Sequence, residues 1–386
     1  MRNFEFYCPT KLIFGKDSLA GLNKLIDKKE RILITFGGGS AKRNGVYDQV
    51  IKALEGYDYS EFWGIEANPT VETVRKAVAQ GKEYKATFIL AVGGGSVIDA
   101  TKLIAAGIVS DKDPWDIVRS HYAEKVMPFG SVLTVPATGS EMNSGAVISC
   151  KKTKEKFAFS SRHPKFSVLD PEVTYSLSDH QIACGLADTF VHVMEQYLTV
   201  KDESMIMDRF AEGVLMTVME IAPKIRQDKT NYDLMSNYMI SATMGLNGFL
   251  SWGITEDWAT HSIGHELTAL AGLTHGASLV IILPALMRIM KDQKGPKILQ
   301  YAERVLHIKE GSDNEKIDKA IQMTEEFFQS LGLPTRLSDA QVPQNIDNEI
   351  VKRFADRRWK IGEARNIDSS KVEAILKLCR PSYNNR

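Results

Sequence analysis

Two short runs of β-branched and other apolar residues in the N-terminal half each end in the sequence Gly-Gly-Gly-Ser. Arg31–Phe36 leads into Gly37–Ser40, and Phe88–Val92 leads into Gly93–Ser96. Residues with apolar positions at helical spacing follow both glycine triplets. Strands that alternate with helices form a parallel sheet with helices on both of its faces. The N-terminal half is therefore predicted to be a doubly wound α/β domain of the Rossmann type.

The C-terminal half has a different pattern. From Asp179 onward, long stretches show helical periodicity, with few strand-like runs, and glycines and prolines mark the breaks. We therefore predict two domains, an α/β domain over residues 1–178 and an all-helical domain over residues 179–386. The run Lys151–Lys154 is predicted to be the solvated turn of a hairpin, because charge runs of this length are usually exposed to solvent.

Composition and charge exclude several classes of protein. The 386 residues include 48 Lys+Arg and 48 Asp+Glu, and 44% are hydrophobic, which argues against a disordered chain and against a nucleic-acid-binding protein. No apolar run reaches the ~18 residues of a membrane span, and no signal peptide is apparent. Four cysteines lie far apart without a CxxC pair, so we expect free thiols and a cytoplasmic protein.

The glycine triplets are candidate nucleotide-binding sites. Glycines at a strand end let the backbone approach a ligand, and a helix that begins there presents free N–H groups to phosphate. The segment Gly93–Asp99 fits this arrangement, although a tight turn with no ligand would have the same sequence. Neither triplet matches GxGxxG or the P-loop. Lys42 and Arg43 follow the first triplet and could bind a 2′-phosphate, or be two exposed cations at a helix start.

A loop rich in hydroxyl side chains, Pro136–Ser144, follows a third strand-like run, Ser131–Val135. Small hydroxyl residues with a glycine suit a loop that hydrogen-bonds the pyrophosphate or carboxamide of a dinucleotide. They would equally suit a helix start, with Thr138 or Ser140 as the capping residue.

Histidines and one aspartate in the helical half are candidate metal ligands. Asp188 and His192 are four residues apart on a predicted helix and so project from one face, and His261 and His265 repeat this spacing on another helix. His275 follows at a helix break. One carboxylate with two or three imidazoles suits Zn or Fe(II). Each histidine alone would more often be structural, but the group as a whole predicts a metal site.

Taken together, these motifs closely resemble the iron-containing (group III) alcohol dehydrogenase family. The resemblance rests on AVGGGSVIDATK (Ala91–Lys102), on PATGSEMNSGAV (Pro136–Val147) and on the spacing of the metal-ligand candidates. Within the family, Phe36–Asp48 resembles the NADPH-dependent butanol dehydrogenase and aldehyde reductase branch. The resemblance implies a dehydroquinate-synthase-like fold, with an N-terminal dinucleotide-binding domain and a C-terminal helical domain for metal and substrate.

The resemblance also implies roles for individual residues. The metal, Fe(II) or Zn, would be bound by Asp188, His192, His261 and His275, and His265 would be a catalytic proton relay. Relatives that prefer NAD often have an aspartate where this chain has Gly39, so the cofactor is expected to be NADP(H). Its expected contacts are Gly37, Gly38, Gly39, Ser40, Lys42, Arg43, Asn68, Gly93, Gly94, Gly95, Ser96, Asp99, Thr138 and Ser140.

The implied reaction is reversible hydride transfer between NADP(H) and a primary alcohol or aldehyde, such as butanol or butanal. The family also implies a homodimer. Three other classes remain open from the residues alone: a polyol dehydrogenase or lyase on the same fold, a metal hydrolase, and a nucleotide-binding protein without turnover.

Overall fold

The computed structural model describes residues 1–380, which form two compact units. The sheet unit contains Tyr7–Ser178 and Asp228–Asn247. The helical unit contains Met1–Phe6, Asp179–Gln227 and Gly248–Arg386, of which residues up to 380 are described.

The sheet unit is built on a parallel six-stranded sheet with the strand order β1-β8-β5-β4-β2-β3. A separate antiparallel hairpin, β6–β7, closes with a turn at Lys151–Lys154, which confirms the predicted turn. The strands are β1 (Lys11–Phe14), β2 (Arg31–Phe36), β3 (Asp58–Phe62), β4 (Phe88–Gly93), β5 (Phe129–Leu133), β6 (Gly145–Cys150), β7 (Glu155–Ser160) and β8 (Phe166–Leu169).

Helices cover both faces of this sheet, as the alternation of strands and helices predicted. Successive residues of a strand point to opposite faces, so Leu33 belongs to one buried core while its neighbours Ile32 and Ile34 belong to the other. The helices of the unit are α1 (Ser40–Arg43), α2 (Val46–Ala53), α3 (Val71–Tyr84), α4 (Gly95–Ile108), α5 (Pro114–Arg119) and α8 (Tyr232–Gly245).

Helix α8 belongs to the sheet unit although it comes from the C-terminal half of the chain. Met239 is buried in the same hydrophobic core cluster as apolar residues of α3 and α4. The Tyr238 hydroxyl donates to the carbonyl oxygen of Pro136 at 2.5 Å, and Thr243 Oγ1 lies 2.6 Å from Glu141 Oε1. The sequence division had placed this segment with the helical domain. Periodicity identifies a helix, but it does not show which core the apolar face of that helix packs against.

The helical unit consists of helices joined by loops, and in residues 179–380 the structure has no strand, only an isolated bridge between Ile361 and Ile367. No helix in the described part of the chain is long and apolar enough to cross a membrane. The helices are α6 (Asp179–Tyr197), α7 (Met205–Gln227), α9 (Ala259–Ala271), α10 (His275–Ile289), α11 (Lys291–Arg304), α12 (Asp313–Ser330), α13 (Asn345–Asp356) and α14 (Ser369–Leu378).

Two strands differ from the apolar runs of the sequence. Strand β3 spans Asp58–Phe62, and its pairing with β2 starts at Arg31 opposite Asp58. Because β3 lies at the edge of the sheet, it carries polar residues, and its sequence therefore shows no apolar run. The third run was expected at Ser131–Val135, and β5 begins two residues earlier.

Candidate active site

Helix α6 carries three acidic or imidazole side chains on one face. Asp188, His192 and Glu195 are spaced by four and three residues, which places them above one another along the helix. All three are buried. The buried location follows from the apolar residues around them, including Phe190, Val191 and Val193, which fix the helix within the unit.

Two glycines allow α9 and α10 to approach these residues closely. A Cβ on Gly276 would lie 2.7 Å from the carbonyl oxygen of Cys184 on α6. A Cβ on Gly264 of α9 would lie 3.0 Å from side-chain atoms of Leu279 and Ser278 on α10. Gly276 thus lets the start of α10, with His275, lie against α6, and Gly264 lets α9, with His261, lie against α10.

Three imidazole nitrogens converge on one carboxylate oxygen. The Nε2 atoms of His192, His261 and His275 lie 3.5, 3.7 and 3.6 Å from Asp188 Oδ1, and the four ligand atoms lie within 4.8 Å of one another. Ligands of a tetrahedral ion with bonds near 2.1 Å are about 3.4 Å apart. The structure therefore brings together the four predicted metal ligands with spacings close to those of a shared cation.

The polar atoms at the centre of this group fit a metal ion. In the part of the chain that the structure describes, the buried atoms Asp188 Oδ1 and His261 Nε2 have no hydrogen-bond partner, and buried polar groups are rarely left so. Burial lowers the pKa of His261, but the carboxylates of Glu195 and Asp188 outweigh burial and raise it to about 9. A positive charge is thus favoured here. The donor set of one carboxylate and three imidazoles suits Zn or Fe(II).

Glu195 orients one of the imidazoles and was not identified from the sequence. Its Oε2 is hydrogen-bonded to His261 Nδ1, and its Oε1 accepts the backbone N–H groups of Thr260, at 2.5 Å, and His261, at 3.3 Å. A carboxylate at Nδ1 fixes the tautomer that leaves Nε2 available to a metal. Its position three residues after His192, on the same helical face, was the signal in the sequence.

His265 lies one turn beyond His261 on α9, next to the ligand group. Its ring centroid is 6.0 Å from that of His261 and 5.4 Å from that of His275. Unlike the buried ligands, the His275 side chain is 23% exposed. The group therefore has one side that is open to a small molecule.

In the sheet unit, the glycine triplets and the hydroxyl-rich loop lie at one edge of the sheet. The carboxyl ends of β2, β4 and β5 are neighbours, with Phe36 opposite Val92 and Gly93 opposite Leu133. Helix α4 begins at Gly95 with no side-chain cap at Gly94, so its first N–H groups are available to an anion. A Cβ on Gly95 would lie 2.3 Å from Thr138 Oγ1, so this turn and the loop pack closely. Ser96 lies in the first turn of α4.

The first triplet lies beside two cations, as the sequence suggested. Gly39 has a φ of 98°, and a Cβ there would lie 3.7 Å from the Arg43 guanidinium. The Lys42 ammonium lies 4.4 Å from the centroid of the Trp63 ring. Gly37 packs near Ile65, whereas a Cβ on Gly38 would meet no atom within 4 Å.

Other proposed cofactor contacts hold the loops themselves. Asp99 is partly buried. Its Oδ1 accepts the Ser140 hydroxyl at 2.6 Å and its Oδ2 accepts the Val147 N–H at 2.8 Å. The buried ammonium of Lys102 donates to Ser140 Oγ at 2.8 Å. Asn68 accepts a hydrogen bond from Lys156 Nζ at 2.9 Å. The side chains of Asp99 and Ser140 are thus engaged with each other, and sequence reasoning missed Lys102, which links them to the loop.

Both halves of the chain are similar to one known protein family. The iron-containing alcohol dehydrogenase profile matches residues 9–171, and the C-terminal profile of the Fe-containing alcohol dehydrogenase family matches residues 182–380. The NADPH-dependent aldehyde reductase YqhD of Escherichia coli is 52% identical over 98% of this chain and 100% of that protein. The probable NADH-dependent butanol dehydrogenase 1 of Bacillus subtilis is 41% identical over 99% and 100%.

Solved structures agree with these matches. The crystal structure of E. coli YqhD superposes with a TM-score of 0.96 at 48% identity and covers 98% of this chain and 99% of that one. The NADH-dependent butanol dehydrogenase A of Thermotoga maritima gives 0.93 at 34% identity and covers 99% of both chains. The chain belongs to the iron-containing alcohol dehydrogenase family. It is thus an enzyme of the oxidoreductase class, and the predicted family and fold are confirmed.

Proposed function

We propose that this enzyme is a metal-dependent, NADPH-linked reductase of aldehydes that also oxidises primary alcohols, with short aliphatic compounds such as butanal and butanol among its substrates. The observation that carries the proposal is the convergence of three imidazole nitrogens on the buried oxygen of Asp188, within 3.5–3.7 Å. Support for the substrate class comes from the relatives, which are named for aldehyde reduction and butanol dehydrogenation.

Each side chain in and around the metal-ligand group would have a distinct role. Asp188, His192, His261 and His275 would hold a divalent ion, Fe(II) or Zn, which supplies Lewis acidity to polarise a carbonyl group. Glu195 keeps the proton of His261 on Nδ1, so that Nε2 can act as a ligand. His265, next to this group, would exchange the proton that accompanies reduction. His265→Ala should lower turnover at least ~10²-fold, as expected for loss of a general acid, while metal content stays at the wild-type level.

The preference for NADPH rests on residues of this chain, because the relatives are named for both NADPH and NADH. The nicotinamide supplies the hydride, and the protein's part is to bind the cofactor. Gly39 has no carboxylate that would repel a 2′-phosphate. The two cations Lys42 and Arg43 lie close to Gly39 and could pair with that phosphate. The free N–H groups at the start of α4 would bind the pyrophosphate.

A reductase assay on reconstituted protein tests the whole proposal. Protein stripped by a chelator is re-supplied with Fe(II) or Zn and assayed with butanal and either NADPH or NADH. We expect metal-dependent oxidation of NADPH, with NADH a much poorer donor. If NADH is preferred, the argument from Gly39 and Arg43 is wrong. Absence of activity with both cofactors and both metals would refute the reductase assignment.

We also propose that the enzyme is a cytoplasmic homodimer that associates through the segment 4–14. Phe4, Phe6, Tyr7 and Phe14 in this segment are each at least 40% exposed, and β1 is an edge strand of the sheet. The four free cysteines suit a reducing compartment. Light scattering should give about twice the 43.0 kDa of one chain, and cell fractionation should recover the activity with the cytosol. A mass of one chain would refute the dimer.

A further inference from the structure

One buried lysine joins three segments of the helical unit close to the metal-ligand group. Lys294 of α11 is 1% exposed. Its ammonium forms ion pairs with Asp257 and, at 2.9 Å, with Glu363, and it donates to the carbonyl oxygen of Leu198 at 2.8 Å. Leu198 lies directly after α6, Asp257 lies two residues before α9, and Glu363 lies between α13 and α14. The lysine thus ties the ends of the two helices that carry three of the four ligands.

Asp257 passes this restraint to the ligands. Its backbone N–H donates to the carbonyl oxygen of Glu195 at 3.0 Å, and its Oδ1 accepts the N–H of Ala259 at 2.8 Å. Between these two bonds Trp258 has a φ of 64°, a left-handed conformation that is strained for a bulky residue and needs support from its surroundings. The same turn leads into Thr260 and His261, whose N–H groups bind Glu195.

The positive charge of Lys294 balances two buried carboxylates. Asp257 and Glu363 are both largely buried, and Lys294 is the ammonium that pairs with them. Removal of one partner from a buried ion pair leaves an uncompensated charge. The backbone N–H of Asp257 is hydrogen-bonded to the carbonyl oxygen of Glu195. A displacement of Asp257 would therefore also displace the Glu195 carboxylate and the His261 ring that it orients.

We propose that Lys294 is a positioning residue for the metal centre, acting through Asp257 to hold the Trp258 turn and thereby the Glu195–His261 pair. The inference rests on the proposed metal site. According to this proposal, Lys294 and its partners Asp257 and Glu363 affect the affinity and the geometry of the bound ion as well as the stability of the fold.

The test uses Co²⁺ as the metal probe on the full-length protein stripped by a chelator. Lys294→Met is expected to raise the Kd for Co²⁺ about 10-fold, the lower end of the range for residues that support a ligand, and to change the visible d–d absorption bands. Asp257→Asn keeps the acceptor for the Ala259 N–H while it removes the ion pair, and it should change affinity and spectrum in the same direction. This second variant keeps the test valid if Lys294→Met fails to fold.

Lys297 provides a matched control on the same helix. It is equally buried and also contacts the end of α6, since its ammonium lies 4.0 Å from the centroid of the Tyr197 ring, but it pairs with Asp208 of α7 at 2.7 Å instead of with Asp257. Lys297→Met should lower the thermal midpoint while the Co²⁺ affinity and spectrum stay at wild-type values. If folded Asp257→Asn has the wild-type spectrum and Kd, the inference about Lys294 is wrong, while the proposed metal site is unaffected. Failure of the wild-type protein to bind Co²⁺ would overturn the metal site and the inference with it.

Discussion

The metal centre depends on the close approach of α10 to α6 at Gly276, and a single methyl group should disrupt it. In Gly276→Ala the new Cβ would lie 2.7 Å from the carbonyl oxygen of Cys184 and 2.9 Å from its Cα. Both are backbone atoms, so no side-chain rotation relieves the contact. An ordinary contact starts at 3.4 Å, and reaching it requires a shift of the α10 start by 0.7 Å.

This displacement is large on the scale of metal coordination. His275 precedes Gly276 directly and would move with it, whereas ligand distances in metal sites are held to about ±0.2 Å. We expect the Kd for Zn²⁺ to rise at least about 10-fold, as for other disturbances of ligand support. Overpacking should also lower the stability of the metal-free protein by about 1–3 kcal/mol. Competition with a chromophoric chelator measures the Kd, and thermal unfolding measures the stability.

Two other helical glycines provide a graded series. On Gly264 a Cβ would lie 3.0 Å from side-chain atoms of Leu279 and Ser278, a longer contact than the 2.7 Å to backbone at Gly276, so Gly264→Ala should have a smaller effect. On Gly213 of α7 it would meet no atom within 4 Å, so Gly213→Ala should keep the wild-type Kd and raise stability by up to about 1 kcal/mol. Equal affinity in all three variants would show that this close approach does not set the geometry of the site.

Three further predictions concern the site residues. Glu195→Gln should raise the Kd for Zn²⁺ about 10- to 100-fold. Both oxygens of Glu195 accept hydrogen bonds, so the N–H₂ group of a glutamine would meet a donor, either the His261 Nδ1–H or the backbone N–H groups of Thr260 and His261; an unchanged Kd in the chelator assay would contradict this role. Gly39→Asp should lower kcat/KM for NADPH at least about 10-fold relative to NADH, since a carboxylate beside Arg43 repels a 2′-phosphate; an unchanged ratio would refute the specificity argument. Chelation of the metal should lower the thermal midpoint, because an ion at 1,000 times its Kd stabilises by about 4 kcal/mol, and an equal midpoint in calorimetry would exclude a bound ion.

Asp188 and His192 were predictable as a pair because helical spacing is a local property, and they share a face wherever the helix packs. The same spacing pairs His261 with His265 on α9, so the choice of His261 and His275 as ligands came from the family resemblance and not from periodicity. The distances between these helices were not predictable, since they depend on Gly264 and Gly276, whose role is visible only when a neighbouring backbone is in place. Glu195 was missed for a related reason: its spacing places it on the same face as His192, but a glutamate on a helix is usually solvated, and its contact with His261 is what distinguishes it from a solvated one.

The sheet unit shows the same division between local and distant information. The apolar runs of β2 and β4 and their glycine ends were readable, because buried parallel strands are continuous apolar segments. The polar edge strand β3 gave no such signal. Asp99 was placed among the cofactor contacts by sequence motif, yet its partners Ser140 and Val147 are 41 and 48 residues further along the chain. Long-range hydrogen bonds of this kind leave no pattern in a single sequence.

The path of the chain limits how relatives of this enzyme can be recombined. Helix α8 contributes Met239 to the hydrophobic core that also holds residues of α3 and α4, and it hydrogen-bonds Pro136 and Glu141, although it is encoded after two helices of the other unit. A chimera joined at residue 178 would pair the sheet of one parent with the α8 of the other, and a fragment ending there would lack part of its own core. Exchange of the sheet unit between family members therefore requires two additional crossovers, so that residues 228–247 travel with the sheet they complete.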